Sequence, residues 1–321
     1  MRWLSSLSQL IRNENMKIYF RPRTWLMVLF LVGTVALMSG IMKWDESRSE
    51  TADWRASLTQ QNEKMALDLQ SSADMDEGSR EYLQERITLN DYHLSQNINP
   101  DKLTLWSYVN SSASLIILVT LLTVVVAADM IAGEFTWGTI KLLLVGPASR
   151  TKIMLGKYIS TMVFALLLLI VCFAAALIAG GILAGFDGLN TPDIYMGSDG
   201  IIHEGSMFLA SIEKYGYNVV MLVMYVTMAF MISSAFRSSS MAIAFSLLCM
   251  LVGNTLSGLL SGYSWVKYLI FPNIDLTQYM EGATPLRPEM TLGFSIAMLA
   301  IYYVVFQFVA WLLFTKRDVA G

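Results

Sequence analysis

The side chains equipped for chemistry in this 321-residue sequence are few and scattered. Cys172 and Cys249 each lie inside an apolar run, where a thiol serves as a small hydrophobic packer. Two separated cysteines offer no disulfide framework and no thiolate metal site. His93 and His203 are far apart and outside the apolar runs, so no histidine-based metal site is expected. Asp187, Asp193, Asp199, His203 and Glu204 share the stretch "FDGLNTPDIYMGSDGIIHEG", but their spacing is not that of a calcium loop. No catalytic grouping emerges, and the chain is not expected to be an enzyme. What remains is the connector "GEFTWGTIKLLL" at 133–144, which sets an acid, two glycines, two threonines and a lysine between two long apolar runs.

The elements that must hold this connector are membrane spans. The chain is 55% hydrophobic and 15% charged, with mean hydropathy +0.51. A soluble domain carries about 25% charge. Several apolar runs approach the roughly 20 residues needed to cross a bilayer. The expected architecture is an all-α integral membrane protein with six transmembrane helices at 25–42, 112–128, 158–184, 217–236, 240–260 and 292–314. Net charge is −3, which gives no reason to expect nucleic acid. The first run is longer than a signal-peptide core and lacks a clear cleavage site, so a retained helix is expected.

Lysine and arginine near span ends set the orientation. Arg2, Arg12, Lys17, Arg21 and Arg23 precede the first span; Lys141, Arg150, Lys152 and Lys157 lie between the second and third. Arg237 sits between the fourth and fifth, and Lys316 and Arg317 follow the sixth. With six spans these regions share one side, expected to be cytoplasmic, with both termini there. The 43–111 segment on the other side has seven Lys/Arg against thirteen Asp/Glu.

Outside the spans, residues 1–24 read as a cytoplasmic leader. Its apolar positions 3, 4, 7, 10, 11 and 18 follow one helical face, as in an interfacial amphipathic helix or a helix packed on the spans. The long extracytoplasmic 43–111 segment is polar and helix-prone. Leu58, Met65, Leu69, Tyr82, Leu83 and Ile87 are candidates for a small helical hairpin there. Outer loops follow at 185–216 and, partly interfacial, at 261–291. Glycines in "AGGILAG" at 179–185 suit a bend or the close approach of another helix. Arg237, in the tight 237–239 turn, is suited to anchor on headgroups or to contact a soluble partner. Asn254, inside the fifth span, is suited to bond across a helix interface or to line a substrate route. A cytoplasmic tail is expected at 315–321.

The charge bias places the 129–157 connector on the cytoplasmic side. Phe135, Trp137, Ile140, Leu143 and Leu144 can cover one side of a short surface helix, with Glu134, Thr139 and Lys141 on the other. Such a helix either carries motion from a soluble protein into the membrane or is a plain interfacial connector. The segment "GEFTWGTIKLLLVGPASRTKIMLGKY" at 133–158, preceded by Asp129, together with the six-span plan, resembles the permease subunits of the bacterial ABC-2 transporter superfamily. The element that carries the resemblance is Glu134, Gly138, Thr139, Ile140 and Lys141, followed by Pro147, Ser149, Arg150 and Lys157-Tyr158. The long first outer segment departs from compact members of that superfamily.

That resemblance implies a coupling helix seated in a separate ATP-binding subunit, with Glu134, Phe135, Gly138, Thr139 and Lys141 as contacts. It implies two ATPase copies, a second permease subunit, identical or homologous, and a bacterial plasma membrane as the setting. The chain contains no GxxxxGK[ST] phosphate loop, so ATP and Mg would belong to the partner and no cofactor is expected here. The implied function is ATP-driven export of a peptide, lipid-like, drug or ion cargo. A non-transporting assembly or sensory protein on the same fold is one alternative. A secondary carrier is another, although few charges lie inside the spans.

Overall fold

The computed structural model describes residues 2–49, 53–71, 77–145, 148–186, 188–197, 200–280, 283 and 285–316. Pro147, Asp187, Asp199 and Arg317 fall outside the described residues, as do the side chains of Trp3, Leu144 and Asn254.

A helix tolerates proline at its first position, where the missing amide has no partner to lose. Pro22 uses that position to separate the leader α1 (Arg2–Tyr19) from the first long helix, α2 (Pro22–Ser49). The Thr24 hydroxyl and the Trp25 indole donate back to the Ile18 and Tyr19 carbonyls, which fixes the corner. Next comes a polar helical hairpin, α3 (Trp54–Ser71) and α4 (Glu77–Gln96). Leu58 is buried in it and Met65, Leu69, Leu83 and Ile87 are half-buried, while Tyr82 is exposed. Asn62 and Asn90 bond across the hairpin at 2.8 Å.

A capping box between Thr104 and Ser107 starts α5 (Leu105–Ser112). One 3₁₀ turn joins it to α6 (Ile116–Thr136), so that the second span is a bent run from Leu105 to Thr136. After a turn come the short α7 (Ile140–Val145) and the long α8 (Arg150–Leu183), which Ser149 caps. A two-stranded antiparallel hairpin, β1 (Pro192–Met196) with β2 (Ile202–Ser206), pairs Ile194 with Glu204. Then follow α9 (Met207–Ala235), α10 (Ser239–Leu259), the short α11 (Ile270–Ile274) and α12 (Leu292–Lys316).

Among the described residues six helices are long and apolar enough to cross a membrane: α2, α5–α6, α8, α9, α10 and α12. Among the described residues the β1–β2 hairpin is the only sheet, all other regular structure is helical, and a helical segment lies between the first two spans. The α5–α6 run and α9 form the interior and pack on each other, and α8 and α10 flank α6. α2 and α12 lie outermost, with most of their surface uncovered by the chain itself.

Glycine sets one close crossing. A Cβ at Gly180 would stand 3.0 Å from the Leu105 carbonyl oxygen, so the bare backbone admits the start of α5 against α8. The close approach expected in "AGGILAG" thus occurs at Gly180. α1 lies along α8, where Gly156 makes room for Leu10 and the Ser160 hydroxyl donates to the Ile11 carbonyl at 3.1 Å.

Candidate functional site

The connector does not form one surface helix. α6 continues past position 128 through Glu134 and Phe135 to Thr136, and the chain then turns at Gly138, whose φ is +69°. The helix can continue past Asp129 and Glu134 because other elements supply countercharges. Trp137, Gly138, Thr139, Lys141 and Leu142 are exposed, with Trp137 at 75% and Leu142 at 79%. Ile140 is instead buried and Phe135 half-buried, both in a small core with Ile131, Ile153 and Phe230. The apolar residues therefore divide between a buried root and an exposed tip, rather than lying on one side of a helix.

Glu134 belongs to the root. Its Oε1 accepts from Lys157 Nζ at 2.7 Å and from Lys17 Nζ at 3.2 Å, while its Oε2 accepts from the Thr139 hydroxyl. Glu14 completes the pattern: its Oε1 accepts from Lys17 at 2.9 Å and its Oε2 from Lys157 at 2.9 Å. Two carboxylates and two ammonium groups alternate in a closed ring that joins α1, α6 and α8. Lys157 is 1% exposed, so its charge depends on both carboxylates. Burial works against the charge on Lys17, but Glu14 and Glu134 outweigh it and hold its pKa above the ordinary 10.5.

A second cluster lies one helical turn away. Asp129 Oδ2 accepts from Arg21 at 3.0 Å and from Arg23, both at the α1–α2 corner, and Oδ1 accepts from the Ser239 hydroxyl at the start of α10. Gly133 leaves space for this carboxylate, since a Cβ there would sit 2.7 Å from Asp129 Oδ1. The Ser239 amide donates to the Thr136 hydroxyl at 2.9 Å, and Ser233 Oγ accepts from the Ile131 and Ala132 amides at 3.0 Å each. The α9–α10 turn is thereby fastened to α6, and exposed Arg237 lies in it at this same end of the bundle. Asn254 lies on α10, well along the helix from that turn.

Sequence reasoning singles out Glu134 and Asp129 but misses Glu14; it uses Lys17, Arg21 and Arg23 only as orientation markers, and Lys157 as an orientation marker and as part of the segment that carries the resemblance. The sequence did contain a signal for Glu14. It continues the leader's apolar stripe of Leu7, Leu10, Ile11 and Ile18, and an acid on a buried stripe requires a cation opposite it.

A family model described as a protein of unknown function, DUF2705, matches residues 84–320. The chain belongs to that family. The uncharacterized protein YhcI of Bacillus subtilis (strain 168) is 38% identical over 315 residues, covering 97% of this chain and 99% of that protein. The uncharacterized membrane protein YdbK of the same organism is 31% identical over 214 residues, covering 66% of this chain and 82% of its own. With its six membrane-length helices, the chain is a multi-pass integral membrane protein related to bacterial membrane proteins, an architecture generally consistent with a transport-type function.

Proposed function

We propose that this chain is the membrane subunit of an ATP-driven exporter of ABC-2 type, in which a separate ATP-binding subunit docks on the connector. The supporting observation is the division of that connector into an exposed tip and a braced root. Trp137, at the end of α6, and Leu142, on the short α7 beyond the Gly138 turn, are exposed apolar side chains. Directly behind them Glu134 is tied to α8 through Lys157 and to α1 through Lys17. Force applied to the tip is therefore shared among three helices instead of bending one loop.

In this reading the tip end faces the cytoplasm, in keeping with the basic residues around it. Trp137, Gly138, Thr139, Lys141 and Leu142 meet the ATPase, while Glu134 and Phe135 transmit. Two ATPases and a second permease subunit complete the assembly, and ATP and Mg reside in the ATPases. Closure of the ATPases pushes the tips and changes which side of the route between the permeases is open.

The test is a mild-detergent pull-down of the tagged chain from its native membrane, with every co-purifying subunit identified by mass spectrometry. The expected result is a stoichiometric ATPase carrying a phosphate-loop motif, lost from a Trp137→Ala/Leu142→Ala variant that still inserts. Recovery of this chain alone, under conditions that preserve known membrane complexes, would overturn the proposal.

A further inference from the structure

The bracing ring uses four of the seven charged side chains that line one cavity, and the other three do not balance. The cavity, about 620 Å³, lies between the last turn of α1, the corner before α2 and the end of α6. Glu14, Lys17, Glu134 and Lys157 cancel one another. Asp129 alone faces Arg21 and Arg23, which leaves one positive charge in excess. Both guanidinium groups bond the same carboxylate oxygen, and their side chains remain 45% and 41% exposed. A guanidinium carries five N–H donors, so donors are left on both after Asp129 is satisfied.

The rest of the wall is largely apolar, from Ile18, Pro22, Val126, Met130 and Trp137, with Thr24, Gly133 and Thr139 between them. Just beyond the corner, α2 exposes Trp25, Leu26, Leu29 and Phe30. An excess of positive charge beside a largely apolar wall, next along the chain to the exposed apolar start of a span, suits a ligand with an anionic head and a hydrocarbon tail. A volume of this size also lies in the range of small-molecule sites, roughly 300–1,000 Å³.

We propose that this cavity binds the phosphate headgroup of an anionic bilayer phospholipid, with Arg21 and Arg23 on the phosphate and an acyl chain along α2. The phosphate shares both arginines with Asp129, so lipid occupancy adds a second anion to the ion cluster that already joins the α1–α2 corner to α6.

The experiment is native mass spectrometry of the full chain released from mixed micelles containing phosphatidylglycerol and phosphatidylcholine in equal amounts. Wild type retains phosphatidylglycerol preferentially. Arg21→Gln/Arg23→Gln lowers that preference roughly thirtyfold, the combined contribution of two basic residues near an anionic surface. Arg12→Gln, on the exposed side of α1, leaves it unchanged. Asp129→Asn, which frees both guanidinium groups from a competing carboxylate, raises it. If the double variant does not fold, as judged by melting in neutral detergent, Arg21→Gln alone and Asp129→Asn decide the matter. Equal retention of the two lipids would overturn the site, as would an equal loss in Arg12→Gln. Complete displacement of phosphatidylglycerol by millimolar inorganic phosphate would overturn the lipid assignment in favour of a free anion.

Discussion

The ammonium of Lys157, 1% exposed, lies 2.7 Å from the Glu134 carboxylate and 2.9 Å from that of Glu14. Removing the cation leaves two largely buried acids with only the half-exposed Lys17 between them. Loss of one partner from a buried ion pair costs about 3–5 kcal/mol. Lys157→Met is therefore expected to lower the melting temperature of the chain in nanodiscs substantially. Lys157→Met/Glu134→Gln should lose less than Lys157→Met alone, because one orphaned charge has gone. Identical melting in all three proteins would show that the ring does not hold α1, α6 and α8 together.

Gly253 of α10 lies against the ring of Phe271 in α11, so closely that a Cβ at position 253 would overlap the ring carbons. Overpacking of this kind costs roughly 1–3 kcal/mol. Gly253→Ala is expected to destabilise the contact between α10 and the 264–279 segment, and Phe271→Ala in the same chain should restore part of the loss. Limited proteolysis of the 260–290 region reads this directly. A double variant cleaved faster than Gly253→Ala would indicate that the ring's own burial matters more than the clash.

Much of this fold is legible in the sequence because lipid imposes a length and a composition on every span. The six apolar runs give six helices for that reason. The ends were less legible. Polarity suggests an end to the second span before Asp129, but Arg21, Arg23 and Ser239 come from elsewhere in the chain and let the helix run on to Thr136. The ring has the same character: Glu14 and Lys157 are 143 residues apart, and no local pattern pairs them. The β1–β2 hairpin was concealed by turn-forming residues that hid two five-residue strands. The connector's apolar positions looked like one helical face, but the left-handed backbone of Gly138 divides them into root and tip.

In the segment between α10 and α12, Glu289 accepts from Lys267 at 2.6 Å and from Arg287 at 3.3 Å. The hydrogen bond from Lys267 holds the Glu289 carboxyl below its ordinary 4.5. A depressed acid favours the folded loop above the unfolded pKa, and that contribution fades as pH falls through the lower folded value. The loop should therefore become more protease-sensitive as the medium is acidified from about pH 5 towards pH 3. Glu289→Gln should be more sensitive than wild type at neutral pH and nearly flat over that window. A wild-type profile as flat as that of the variant would remove this carboxylate from the loop's stability.

Gly138 has φ of +69° and open space around its α-carbon, so conformation alone restricts substitution there. For most L-residues this left-handed backbone costs roughly 1–2 kcal/mol, with asparagine more tolerant. Gly138→Ala is expected to loosen the turn that aims α7, and Gly138→Asn should do so less. The measurement is hydrogen exchange on peptides spanning 137–145 and 116–132. Exchange should accelerate several-fold in the first and stay unchanged in the second, because the α6 backbone is held separately by Ser233 and the Asp129 cluster. If both peptides accelerate together, the tip and the root form one cooperative unit, and force on the tip would then reach the bundle through the α6 backbone instead of the Glu134 ring.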